Sequence, residues 1–239
     1  MGEFITDRDF AKWTANWMEL EDQQEPFNFF KLGKDTYLLG SFLEPEDIET
    51  LFSAIGVSEI KVRLGVDEDN KFKLILFGTD NTGERFTPYY AHTPIDSEQI
   101  KDGDSDGNVP DILADKWKEY WLEHVKKDIF SKHFMTHSGF LQGYNYTSKE
   151  LIDSLFKFDI ENPPRIYICF VLHKYIAFNA DTNFNPYDFT HRYTFGLLFQ
   201  AIPTPSSDKY DPATGELIIL NDAPSSGYYD LSAPCPRTC

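Results

Sequence analysis

The chain contains four tryptophans, and they fall into two pairs of identical spacing. Lys12-Trp13 leads to Trp17 and Glu19, and Lys116-Trp117 leads to Trp121 and Glu123, each residue 104 positions after its counterpart. The same shift lays Glu46, Ile48, Leu51 and Phe52 on Glu150, Ile152, Leu155 and Phe156, with Glu49 over Asp153 and Thr50 over Ser154. A single gap-free shift that satisfies two well-separated blocks is the signature of an internal duplication. Two copies make a pseudo-dimer rather than a solenoid. The expected units are 1–107 and 108–220, followed by a C-terminal tail over 221–239.

The first copy supplies the elements. Thr6 or Asp7 is placed to cap a helix whose Phe10, Trp13 and Trp17 form one apolar stripe. A second helix opens at Glu44-Pro45, turns Ile48, Leu51, Phe52 and Ile55 inward, and stops at Gly56. Ile60, Val62 and Leu64 then alternate with charged residues, turn at Asp67-Glu68-Asp69-Asn70, and return as Phe72, Leu74 and Leu76, which predicts a hairpin with one wet face. Asp80-Asn81-Thr82-Gly83 turns the chain into a short third strand, Arg85-Phe86-Thr87.

The second copy repeats the Trp stripe through Ile112, Leu113, Trp117, Trp121, Val125 and Ile129, and Thr147 with Glu150 forms a capping box for its second helix. Its hairpin pairs Arg165 to Leu172 with Arg192 to Leu198, matched to the first at offsets 106 and 121, so its loop is 15 residues longer. A further strand is predicted at Glu216 to Leu220. The pattern predicts an α+β fold of two tandem units, each with two helices on one face of an antiparallel sheet, related by a pseudo-two-fold axis.

The run Ile60-Lys61-Val62-Arg63-Leu64-Gly65-Val66-Asp67, then Leu74-Ile75-Leu76-Phe77-Gly78-Thr79-Asp80 and Gly83, resembles a group of short uncharacterised bacterial proteins. Those proteins also tend to end in Pro-Cys-Pro-x-x-Cys, as Pro234-Cys235-Pro236-Arg237-Thr238-Cys239 does here. The resemblance spans residues 26 to 90 and the tail, and it implies a fold but no activity.

Charge narrows the partners. The net charge of −17 is uneven, with 10 basic and 23 acidic side chains up to residue 107 and 12 and 16 after it. Such a field repels phosphate backbones and anionic lipid, so nucleic acid is not an expected partner and a protein partner or metal cations are. No apolar run approaches the ~20 residues of a membrane span, and the start shows no signal core, so the expected location is cytoplasmic. Cys169 lies in an apolar strand, and the tail thiols Cys235 and Cys239 could pair, bind metal or dock a partner.

Two constellations invite chemistry. Asp102-x-Asp104-x-Asp106-Gly107-Asn108 has the alternate oxygen ligands and glycine turn that begin a calcium loop, although Leu113 stands where the bidentate acid of an EF-hand belongs. The long second loop holds Asp181 and Asp188 between His173 and His191. If Leu172 faces Arg192, the next rung outward puts His173 opposite His191, where the imidazoles could share a metal. His133 and His137 are four apart but lack the glutamate of a metalloprotease helix, and the Trp stripes fit a core better than a ligand platform. The sequence therefore points to a non-enzymatic binding or interaction protein with calcium at the junction; the alternatives are a metal-dependent hydrolase built on the second loop and a structural or assembly subunit.

Overall fold

The computed structural model describes residues 2–96, 108–136, 139–155, 164–177, 190–202, 227–230 and 233–235. In chain order these form β1 (Glu3–Ile5), α1 (Asp7–Met18), β2 (Gly40–Leu43), α2 (Pro45–Phe52), β3 (Glu59–Val66), β4 (Phe72–Thr79), β5 (Tyr89–His92) and α3 (Asp111–Lys127). They continue with β6 (Met135–Thr136), β7 (Gly139–Phe140), β8 (Gly143–Thr147), α4 (Ser148–Leu155), β9 (Arg165–Ala177), β10 (Thr190–Ile202), β11 (Tyr228–Tyr229) and β12 (Ala233–Cys235). One antiparallel sheet runs β1-β5-β4-β3-β8-β12, the other β11-β10-β9-β2, and β6 with β7 makes a short ladder. The fold is α+β. No helix among the described residues is long and apolar enough to cross a membrane.

Local chemistry sets the element boundaries. Thr6 and Asp9 exchange hydrogen bonds in a capping box at the start of α1, Pro45 occupies the first turn of α2 behind Glu44, and Thr147 with Glu150 caps α4. Gly56 follows α2 in the left-handed region, at φ 101°, where a Cβ would be strained.

Period-two alternation builds the core. Ile60, Val62, Leu64 and Val66 of β3 and Phe72, Leu74 and Leu76 of β4 share one cluster with Ile166, Ile168, Phe170 and Leu172 of β9 and Phe195, Leu197 and Phe199 of β10. The sheets meet face to face: the Phe72 and Phe170 rings are 5.8 Å apart, and the Tyr144 hydroxyl donates to the Phe195 carbonyl at 2.6 Å. One end of this core is closed by Ile48 and Leu51 of α2 and Leu151 of α4, the other by Trp17, Trp121, Phe27, Phe30, Phe134 and Phe140. Each long helix spans two layers. Trp13 of α1 packs outside the first sheet with Ile75 while Trp17 enters the core, and Ala114 and Trp117 of α3 pack outside the second sheet while Trp121 enters the core.

The same pairings occur twice, and they cross between the halves. β8 of the second half lies beside β3 of the first, with Tyr146 opposite Ile60 and Gly143 opposite Arg63; β2 of the first half lies beside β9 of the second, with Leu43 opposite Ile166 and Gly40 opposite Cys169. Both glycines are required by contact, since a Cβ on Gly40 would strike the Ile168 carbonyl oxygen and one on Gly143 the Val62 carbonyl oxygen. The indole N–H of Trp17 donates to the Leu141 carbonyl at 2.7 Å, and that of Trp121 to the Leu38 carbonyl at 2.8 Å. Ile5 opposite Tyr89 has its counterpart in Val109 opposite Tyr228.

Several expectations change in detail, and Ile55, expected to face inward, is exposed. The sheets are shared by the halves rather than one per unit, because β2 and β8 are exchanged. Arg85-Phe86-Thr87 is no strand: Arg85 makes a single bridge to Thr79, and the strand is β5. Part of the expected tail is sheet, with β11 beside β10 and β12 beside β8. Glu216 to Leu220 lies outside the described residues.

Candidate functional site

The paired histidines do not face each other. β9 and β10 pair with Leu172 opposite Phe195, so His173 stands opposite Thr194 and His191 opposite Ile176. The two histidines occupy rungs three apart, ~10 Å along the ladder. The first hairpin pairs Val66 with Phe72, which makes the true offset of the returning strands 123 rather than 121. His173 instead packs its ring on Trp117, with centroids 4.3 Å apart, and passes over Gly196, where any Cβ would collide with it. Burial holds its pKa below the ordinary imidazole value, opposed by the charge of Asp230. Asp181 and Asp188 lie outside the described residues, as do Asp102, Asp104, Asp106, His137 and Cys239.

Asn108 is described, and its amide is already engaged. Its Oδ1 accepts the Asp230 N–H at 2.9 Å and its Nδ2 donates to the Asp230 carbonyl at 3.2 Å, continuing the bridge that Val109 makes to Tyr228. The Cys235 backbone pairs with Gly143 in the β12–β8 ladder. Cys169 is a buried thiol pushed up to about 12, mainly by desolvation, and behaves as a small apolar side chain.

A concave site among the described residues lies elsewhere. A pocket of about 650 Å³ opens between the C-terminal turn of α3, the segment 128–135 and the first rungs of the long hairpin. His124 and Lys127 come from α3; Asp128, Phe130, Lys132, His133 and Met135 from the connecting segment; Tyr175, Arg192 and Tyr193 from β9 and β10. Its floor is fixed from both sides. The Phe27 N–H donates to the Ile129 carbonyl at 2.7 Å, the Ser131 hydroxyl to the Gln23 carbonyl at 3.3 Å, and the Thr194 hydroxyl to the Met135 carbonyl at 3.2 Å.

Hydrogen bonds orient the two imidazoles. The Phe130 N–H donates to His133 Nδ1 at 3.0 Å, so that nitrogen is the acceptor. His133 is buried, and desolvation, then the charges of His124 and Lys132, lower its pKa to about 4. At neutral pH it is therefore uncharged with its proton on Nε2. His124 turns Nδ1 to the Tyr120 carbonyl at 2.8 Å, an acceptor only, so Nδ1 carries a proton. The two rings meet edge to face, 5.3 Å apart, and Tyr193 lies 4.4 Å from His124.

The charge of this pocket opposes that of the chain. Lys127 and Lys132 are exposed and form no ion pair among the described residues, Arg192 adds a third cation, and the one carboxylate, Asp128, sits 3.1 Å from the Lys31 ammonium. Lys31 also donates to the Lys127 carbonyl at 2.7 Å and so covers the negative end of α3. Helix capping accounts for basic side chains in the last turn of α3 but not for Lys132 or Arg192, which stand beyond the helix. The arrangement can hold an anion by charge, offer it the His133 N–H, and place an apolar body against Phe130, Met135 and the tyrosines.

The parts of this site are scattered over the chain from His124 to Tyr193, so no local motif marks it. One sequence signal does mark it: at offset 104 Leu20, Gln23, Asn28 and Phe29 correspond to His124, Lys127, Lys132 and His133. Four neutral positions turn basic or titratable together. Among the described residues no group of three or more His, Cys, Asp or Glu side chains is placed to hold a metal ion. Compared with known proteins, the chain matches no family model, no curated protein and no solved structure.

Proposed function

We propose that the protein is a non-enzymatic binding protein whose pocket beside the long hairpin takes a small anionic ligand. The observation that carries this reading is the convergence of Lys127, Lys132 and Arg192 with aromatic side chains on one pocket of a chain whose net charge is −17. Chance placement in so acidic a protein would favour carboxylates, and a surface kept basic against that background has a purpose. The hydrolase alternative loses its support, because it needed His173 and His191 on one rung.

An internal duplication, with binding specialised in the second copy, fits the same facts. The twice-occurring pairings supply the common frame, and the pocket lies where the copies diverge. The test is calorimetric titration of inorganic phosphate at low ionic strength, where exposed charges are least screened. Saturable binding that is lost in the Lys127→Glu/Lys132→Glu variant is the expected result. Equal heats from wild type and that variant, or none from either, would refute an anion site here.

A further inference from the structure

Resting on that anion-site reading, we infer that the ligand is a phosphate monoester carried by a flat ring, of mononucleotide size. Three features of the pocket lead there independently. Its volume of about 650 Å³ falls in the range of ~300–1,000 Å³ typical of sites for whole organic ligands, well beyond the needs of a free oxyanion. Its lining carries two exposed lysines, Lys127 and Lys132, with no ion pair among the described residues, and its one carboxylate is paired with Lys31, so the local charge matches a dianion better than a monocarboxylate. Phosphate monoesters carry roughly −1.5 to −2 near neutral pH and accept through three oxygens.

The third feature is that aromatic side chains stand beside the cations all round the wall. Lys127 and Lys132 come from the α3 end and the connecting segment together with Phe130, and Arg192 comes from the extra rungs of the hairpin together with Tyr175 and Tyr193. Lys132 already lies 5.3 Å from the Phe130 ring centroid, so cationic and aromatic surfaces are adjacent. A phosphate held by the lysines and the Nε2–H of His133 would bring an attached ring against these aromatics. A polymeric nucleic acid would meet the repulsion of a chain whose net charge is −17 along its length, and a single nucleotide far less of it.

The experiment is calorimetry on the full chain at low salt with seven probes: AMP, GMP, CMP, UMP, adenosine, inorganic phosphate and indole-3-acetate. At least one mononucleotide should bind tenfold or more tightly than phosphate, adenosine or indole-3-acetate. Lys132→Glu, at an exposed position, should weaken that nucleotide at least tenfold. Tyr193→Leu should bring its affinity toward that of phosphate while leaving phosphate unchanged. Mononucleotides no tighter than phosphate would overturn the ring while the anion site stands, and indole-3-acetate binding as well as the best nucleotide would overturn the phosphate. Silence from every anion would remove the underlying reading with it.

Discussion

The two hairpins share a core and differ at their tips. β3–β4 closes directly after Val66 pairs with Phe72: Asp67 accepts the N–H groups of Asp69 and Lys71 at 3.0 and 2.8 Å, and Asn70 takes the left-handed conformation at φ 57°. β9–β10 reaches the equivalent rung at Leu172 and Phe195 and keeps pairing outward to Ala177 and Thr190. Inside that rung both faces are wholly apolar, Ile, Val and Leu with Phe170 on the outgoing strands against Phe and Leu on the returning ones. Outside it, one hairpin ends in an acidic turn whose Glu68 accepts from Lys12 and Trp13 of α1, and the other presents Tyr175, Arg192 and Tyr193 to the end of α3. Packing held the shared part constant, and the freedom to build a pocket lay beyond the last core rung.

Substitutions at equivalent positions probe how far the likeness goes. The largest expected effect is at Trp17 and Trp121, both fully buried and each hydrogen-bonded to the opposite half. Alanine at either should cost ~3–5 kcal/mol in denaturant unfolding, and by similar amounts. A near-neutral result at one would break the equivalence. Gly40→Ala and Gly143→Ala force a Cβ onto a carbonyl oxygen across the exchanged strand, and each should cost roughly 2–3 kcal/mol.

The next two sharpen the difference between the halves. His133 has its folded pKa lowered from 6.5 to about 4, so the unfolded chain takes up the proton first. The contribution of the neutral ring is complete above pH 6.5 and is lost as pH falls toward 4. His133→Phe, which copies Phe29 of the first half, should flatten stability between those pH values by on the order of 2 kcal/mol; an unchanged pH profile would contradict the burial argument. The smallest effect is Asn108→Ala, which removes two hydrogen bonds to Asp230 and should cost about 1 kcal/mol. A loss within error would mean that water replaces the clamp.

Much of this architecture is legible in the residues, and the gaps have physical causes. Alternation around Ile60 and Leu74 gives the hairpin, and Thr6, Pro45 and Thr147 give the helix starts, because these signals are local. The exchange of β2 and β8 is not local. A repeat offset is the same whether a short strand such as Gly40–Leu43 pairs with its own hairpin or with the other one. The misplaced rung between His173 and His191 has two sources: the offset of the returning strand is two residues short, which alternation cannot detect because it keeps every side chain on its face, and Val66 pairs with Phe72, one residue beyond Lys71. The pocket needs the fold, which brings Lys132 to Arg192 across sixty positions of chain.

The halves are intertwined, each completing the other's sheet and receiving the other's tryptophan N–H. Residues 1–107 and 108–239 made as two separate chains test it most directly. Neither fragment alone should give a cooperative thermal transition, since each lacks its partner strand and leaves a Trp17 or Trp121 site open; mixed, they should form a 1:1 complex with the circular dichroism of the intact chain. Two fragments that each unfold cooperatively as monomers, and ignore each other on mixing, would contradict it.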